Sequence, residues 1–340
     1  MPDVRVRAGL CAGLLLASLA SVSGQATEQA PLKGVGEFEV PAWFKMSFLD
    51  LAEDVAEARA EGKQLGVFFH QKGCPYCEKL FDYNFSQRAI RAYFTEHYHA
   101  VDINMWGDRE VVDVDGEVLT EKAFAEKHRV WFTPTLLLFD EHGAVMLRVN
   151  GYYPPERFKA ALEYAATGGE ATFAEYLARI SVAEPRERLT AQPFFAEPPH
   201  VLDAVEGPLM LLFEQRACRA CRELHAGPLS APQTRDMLSE VHVVQLDRWS
   251  REDLVTPSGE RMTARAFADR LGVEYLPTAV FYDDGREVIR MEAMFKSFHV
   301  QSMIDYTVSG AYTGNDNFQR WLSKRADALR EQGITVDLWQ

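Results

Sequence analysis

A Cys-x-x-Cys unit occurs twice in this 340-residue chain, as Cys74-Pro75-Tyr76-Cys77 and as Cys218-Arg219-Ala220-Cys221, and its surroundings recur with it. Each unit follows a short apolar run, at 65–69 and 208–213, and precedes residues of helical period. A short apolar run closed by a turn predicts a buried strand, and the amphipathic residues after it a helix. Downstream, Trp106 matches Trp249, Asp115-Gly116 matches Ser258-Gly259, and Phe124-Ala125 matches Phe267-Ala268. Pro134-Thr135 matches Pro277-Thr278, Tyr164 matches Tyr306, and Phe173 and Leu177 match Phe318 and Leu322, all at a period of about 143 residues. Repetition on this scale restricts the chain to two copies of one fold. Its length suffices for two separate cores.

Residues 1–26 form a targeting pattern: Arg5 and Arg7, an apolar stretch from 10 to 20, then small residues with cleavage expected after Ala20 or Ala26. The stretch is short for a membrane span, so the mature chain is expected to have no integral membrane segment. Removal of Cys11 with this leader leaves four cysteines, all in the two pairs and none for a bridge elsewhere. The expected location is the periplasm. A formal net charge of −14 argues against nucleic acid and anionic membrane surfaces as partners.

Residues 27–39 have no period and read as an extended arm, packed down by Trp43 and Phe44. Ser47 is the expected cap of a helix in which Phe48, Leu51, Ala52, Val55 and Ala58 recur at helical spacing. Residues 99–104 alternate as a strand, 106–120 read as turn-rich with 108–115 a solvated surface insertion, and 121–128 as a short helix. Residues 131–149 read as a proline-led hairpin, and 156–166 and 173–180 as helices. Pro185, Pro193, Pro198 and Pro199 mark a linker. The expected division is a leader at 1–26, a first domain at 27–183, a linker at 184–199 and a second domain at 200–340.

At a helix N-terminus, unpaired N–H groups and the helix dipole favour a thiolate, which can bring a thiol pKa from about 8.5 to roughly 3.5–7.5. Cys74 and Cys218 occupy that place. Cys77 and Cys221, three residues on, lie on the same face and can resolve a mixed disulfide. Arg216, Arg219 and Arg222 would favour the Cys218 thiolate further. Two other uses of such pairs stay open: a structural disulfide, and a share in a metal site. Zinc ribbons, however, place their pairs within about 15–20 residues, whereas these lie over 140 apart. Glu78 and Arg222 stand where haem attachment needs a histidine, and the acids of 108–115 lack the glycine and final glutamate of a calcium loop. Neither a metal nor a dissociable cofactor is expected.

Strand, Cys-x-x-Cys helix, strand, helix, proline-led hairpin and helix make an α/β order with helices on both sheet faces. Each half resembles the thioredoxin fold over nearly its whole length. The expected fold class is therefore α/β, two tandem thioredoxin-like domains, each a central mixed β-sheet flanked by helices. The resemblance implies that Pro134 and Pro277, 57 and 56 residues after Cys77 and Cys221, are cis and face the dithiols. It implies substrate contact at Thr133 and Leu276, together with Pro75 and Tyr76, with Tyr76 expected to be exposed at the mouth of the site. The first half goes further. Its residues 70–77, Trp106-Gly107-Asp108-Arg109-Glu110, Thr133-Pro134-Thr135 and Gly151-Tyr152 look like the periplasmic thioredoxins of the SoxW type, some of which sit in sulfur-oxidation systems. That likeness implies a periplasmic thiol–disulfide reductase acting on disulfide-bearing proteins and fed by a membrane dithiol donor. A disulfide oxidase or isomerase, and a non-catalytic module, remain as alternatives. One departure stands out. Ordinary thioredoxins carry a buried acid six residues before the first cysteine, where this chain has Phe68 and Leu212. His70 and Glu214, four residues before each first cysteine, are the candidates for proton transfer.

Overall fold

The structure is a computed structural model that describes residues 29–169, 171–180 and 188–339; the expected leader and Cys11 lie outside the described residues. In the first half an arm carrying β1 (Leu32–Lys33) leads to α1 (Leu51–Ala60), β2 (Gln64–His70), α2 (Pro75–Lys79), α3 (Arg88–His97) and β3 (Tyr98–Asn104). There follow β4 (Glu110–Val112), β5 (Val118–Thr120), α4 (Glu121–Lys127), β6 (Thr135–Phe139), β7 (Val145–Asn150), α5 (Pro155–Ala166) and α6 (Phe173–Ile180). The second half runs through β8 (Leu209–Glu214), α7 (Arg219–Ala226), α8 (Pro232–Leu238), β9 (His242–Asp247), β10 (Asp253–Val255), β11 (Arg261–Thr263) and α9 (Ala264–Arg270). It continues with β12 (Thr278–Asp283), β13 (Arg286–Met291), α10 (Ser297–Val308), α11 (Phe318–Glu331) and β14 (Val336–Asp337).

Each half forms a four-stranded mixed sheet of the same order, β3-β2-β6-β7 and β9-β8-β12-β13. In both, the first pair is parallel and the other two antiparallel. Alternation along the strands sorts their side chains between faces. Leu65, Val67 and Phe69 of β2 join one cluster, while Phe68 points to the other side. Leu209, Leu211 and Phe213 of β8 separate in the same way from Met210 and Leu212. The Phe68 face and the Met210 face belong to a single cluster that passes from one half into the other.

A local pseudo-twofold axis explains that continuity. Tyr153 stacks on Tyr275 with ring centroids 4.2 Å apart. With the halves exchanged, the same contact is Phe295 on Phe132, at 4.9 Å. Between these pairs Asn150 donates to Glu292, and Gly151 abuts Ala293. Positions 150 and 292, 151 and 293, 153 and 295 are repeat equivalents. Such reciprocity is the signature of a twofold dimer interface, here closed within one chain.

Three local expectations need correction. The first helix starts at Leu51, not Ser47, because Asp50 accepts from the Glu53 N–H at 3.0 Å and takes the cap. Phe48 therefore precedes the helix and is 100% exposed. Residues 108–115 are not simply solvated surface: β4 and β5 pair as a hairpin, and Asp113 is buried beneath Lys127.

Candidate active site

Both Cys-x-x-Cys pairs are disulfides, Cys74–Cys77 and Cys218–Cys221. The local sequence sets their geometry. Gly73 adopts φ 77°, the left-handed turn that lets β2 end and α2 begin, and Pro75 fills the first helical turn, where no N–H is needed. Cys74 is the N-cap residue, its sulfur accepting from the Cys77 N–H at 3.0 Å. At the second site Cys218 caps α7 in the same way, at 3.1 Å, but the left-handed position is Ala217, φ 56°. An alanine there costs about 1 kcal/mol that glycine avoids.

The Thr133–Pro134 and Leu276–Pro277 bonds are cis. Beside the first, the Thr133 hydroxyl donates to Sγ of Cys74 at 3.2 Å. Leu276 has no side-chain donor, so the second sulfur lacks that bond. Each strand end is also tied to its tryptophan: Trp106 donates to Gln71 and Trp249 to Gln215, both at 2.8 Å.

The proton-transfer candidates occupy different surroundings. His70 hydrogen-bonds Asp102 at 3.2 Å and stacks on Phe68. That bond is the leading cause that holds the Asp102 carboxyl below the usual carboxylate range, with Arg109 assisting. Glu214 is buried beside the second disulfide, meets His225 at 2.9 Å and accepts from Gln245 at 2.6 Å. Of the three arginines expected around Cys218, Arg216 pairs with Asp247 and Arg219 with Glu223, while Arg222 lines the crevice at the disulfide.

Both centres are covered. Relative exposure is 2% for Cys74, 0% for Cys77, 2% for Cys218 and 4% for Cys221. Over the first lies the arm, where Gly36 N–H donates to the Gly73 carbonyl at 3.1 Å. β1 of this arm pairs in parallel with β14, which clasps the two ends of the described chain across the site. Tyr76 is therefore not exposed at a mouth. It is 4% exposed, its ring enclosed by Phe295, His299 and Trp339, and its hydroxyl accepts from the Lys296 N–H at 3.2 Å. Over the second centre lie residues 188–190, held where Gln245 donates to the Thr190 carbonyl at 2.9 Å.

The helices that trail each core pack on their own half and also reach the other. Gln319 on α11 donates to the Trp131 carbonyl at 3.0 Å and accepts from Gln71 at 2.9 Å. Arg320 lies over the Trp106 ring at 5.1 Å. In return, the Ala174 N–H on α6 donates to Glu274, and Glu175 pairs with Arg265, both at 2.9 Å. Each half thus supplies a helix to the other's cis-proline loop.

Sequence reasoning missed His299, Gly36 and Gln319. The recurrence of Phe173 and Leu177 as Phe318 and Leu322 was the signal that could have flagged α11. Nothing local points to His299. It is 7% exposed, burial lowers its pKa to about 4, and its Nδ1 has no hydrogen-bond partner. Among the described residues no group of three or more His, Cys, Asp or Glu is placed to hold a metal ion, and no helix is long and apolar enough to cross a membrane.

Several solved structures are similar to part of the chain. A thioredoxin-fold protein from Helicobacter pylori is 24% identical over 41% of this chain and 86% of its own, with a TM-score of 0.29. A thioredoxin from Thermus thermophilus is 24% identical over 36% and 88%, TM-score 0.29. The oxidised C-terminal domain of DsbD from Neisseria meningitidis is 14% identical over 38% and 99%, TM-score 0.28. No curated protein matches the chain. The sequence profile of the thioredoxin-like domain matches residues 51–166 and again 201–307, well over half of the chain. The protein belongs to the thioredoxin-like domain family and carries that domain twice in tandem.

Proposed function

We propose that the protein is a thiol–disulfide oxidoreductase, exported by the leader at 1–26 and acting in the periplasm in the reductive direction. The first centre carries this reading: a disulfide capping a helix N-terminus, beside a cis-proline, with the Thr133 hydroxyl on Sγ of Cys74. Once the pair is reduced, the Cys77 N–H and the Thr133 hydroxyl both favour the charged form of Cys74. Its thiolate attacks a partner disulfide, expels one partner sulfur and forms a mixed disulfide. Cys77 then attacks Sγ of Cys74 and releases the second partner sulfur. Two electrons pass from the dithiol to the partner, and no dissociable cofactor takes part.

In this reading Thr133 and Leu276 border the partner backbone, and Pro134 and Pro277 shape the loops that do so. Glu214 takes the proton of Cys221, with His70 as its counterpart in the first half. The partners are disulfide-bearing periplasmic proteins, which reach Cys74 where the arm and β14 move aside, and a membrane dithiol restores the reduced state. The place in a sulfur-oxidation system rests on the first-half motifs alone. The same exchange run in reverse describes an oxidase, and the two reduction potentials measured against glutathione buffers separate the directions.

One observation favours another role for the second pair. The hydroxyl bond that Thr133 gives Sγ of Cys74 has no counterpart from the Leu276 side chain, a setting that suits an inert structural disulfide at Cys218–Cys221. Cys77→Ser and Cys221→Ser proteins test both centres. Each exchange-active centre accumulates a mixed disulfide, seen as a mass increase that dithiothreitol removes, whereas Cys74→Ser accumulates none. A Cys77→Ser protein with full activity and no adduct would reverse the assigned roles. An adduct-free Cys221→Ser protein assigns the second pair to structure.

A further inference from the structure

Between the halves, directly beside the first disulfide, lies a cavity of about 340 Å³. This is within the size range of small-ligand sites, about 300–1,000 Å³. Cys74 and Thr133 line one side of it, and Phe295, Leu322 and Ala326 of the second half line the other. His299 borders it as well. The routes a polypeptide would use are taken. The Trp131 carbonyl, next to the cis-proline loop, is bonded to Gln319, and the Gly73 carbonyl to Gly36. Tyr76 is roofed by Trp339.

We propose that, with the arm in place, the oxidant at the first centre is a small organic disulfide bound in this interdomain cavity, between Cys74 and Thr133 on one side and Phe295, Leu322 and Ala326 on the other. The proposal rests on the reading of Cys74 and Cys77 as an exchanging dithiol. The Cys74 thiolate attacks one sulfur of R–S–S–R, that bond breaks, a Cys74–S–S–R bond forms, and one thiolate R–S⁻ leaves. Cys77 attacks Sγ of Cys74 and expels the second. The dithiol is oxidised by two electrons, R–S–S–R is reduced to two R–SH, and the two protons come from the two cysteines.

The full chain with Cys218→Ser/Cys221→Ser isolates the first dithiol. Reduced and freed of reductant, it is mixed with bis(2-hydroxyethyl) disulfide or with insulin, quenched, alkylated and weighed. The expected second-order rate with the small disulfide exceeds that with insulin at least tenfold. Ala326→Trp, which fills the cavity, lowers the small-disulfide rate at least tenfold. Ala326→Leu fills the cavity in part, raises the half-saturating concentration of small disulfide at least threefold, and leaves the limiting rate within twofold. Should Ala326→Trp fail to fold, Ala326→Leu alone decides the matter. Insulin reacting as fast as the small disulfide, or both variants matching the parent, overturns the proposal and leaves dithiol exchange intact. Reaction with neither oxidant overturns the exchange reading itself, and this proposal with it.

Discussion

Gly36 lies so close to Cys74 that a Cβ on it would stand 2.3 Å from the Cys74 carbonyl oxygen and 2.6 Å from Cα of Pro75. Backbone on backbone at this distance admits only glycine. The arm is thereby fitted to the peptide that carries Cys74. Gly36→Val cannot keep the contact, and the pairing of Leu32 with Val336 is too short to hold the arm alone. Reduced Cys74 in that variant should be alkylated by iodoacetamide at least tenfold faster than in the parent, and its reaction with insulin should speed up by a similar factor. Unchanged rates would show that the arm does not limit access.

The pseudo-twofold contact makes a prediction about cooperativity. Phe295 is buried against Phe132, Tyr76 and His299, so it serves both halves at once. Phe295→Ala should cost about 3–5 kcal/mol. Because one apolar cluster spans both sheets, far-ultraviolet circular dichroism and tryptophan fluorescence should report a single urea transition that moves as a unit. Two transitions, with only the second-half one displaced, would show that the halves fold independently.

What the sequence made legible follows from how local each device is. A cysteine capping a helix, a glycine turn before it and a proline before a strand are all set by neighbouring residues, and their recurrence about 143 residues later reveals the tandem arrangement. The reach of α6 and α11 into the opposite half was hidden because an amphipathic stripe states that a face is buried, not against which half. Phe318 would read the same on either. Tyr76 read as exposed for the same reason, since Trp339 closes over it from the far end of the chain. Phe48 kept helical spacing with Leu51 and Val55, but the Asp50 cap fixed the helix start after it.

Thr133 offers a direct test of how the first sulfur is tuned. Its hydroxyl donates to Sγ of Cys74, whereas Leu276 at the second centre has no equivalent donor. A hydrogen bond to a charged acceptor contributes about 1.5–3 kcal/mol. Thr133→Val preserves shape and removes the donor, so the Cys74 thiol pKa should rise by about 1–2 units. Following thiolate absorbance against pH in the Cys218→Ser/Cys221→Ser background measures this shift. An unmoved titration would place the hydroxyl bond outside the control of reactivity.

His299 links the interdomain packing to pH. Burial among Tyr76, Phe295 and Phe298 lowers its pKa from 6.5 to about 4 in the folded protein. Above pH 6.5 the imidazole is neutral in folded and unfolded chains alike, and it contributes no pH dependence. As the pH falls from there towards 4, the unfolded chain binds a proton that the folded chain refuses, so stability is lost with decreasing pH. The slope approaches about 1.4 kcal/mol per unit, and the total comes to roughly 3 kcal/mol. Below pH 4 both states are protonated and the loss levels off. His299→Phe removes the titration while keeping a ring in the same packing. Urea unfolding of parent and variant between pH 7 and 4 should therefore give a stability difference that shifts in favour of the variant by about that amount as the pH falls. A difference that stays constant across the range would mean that the imidazole takes up its proton in the folded state as readily as in the unfolded one.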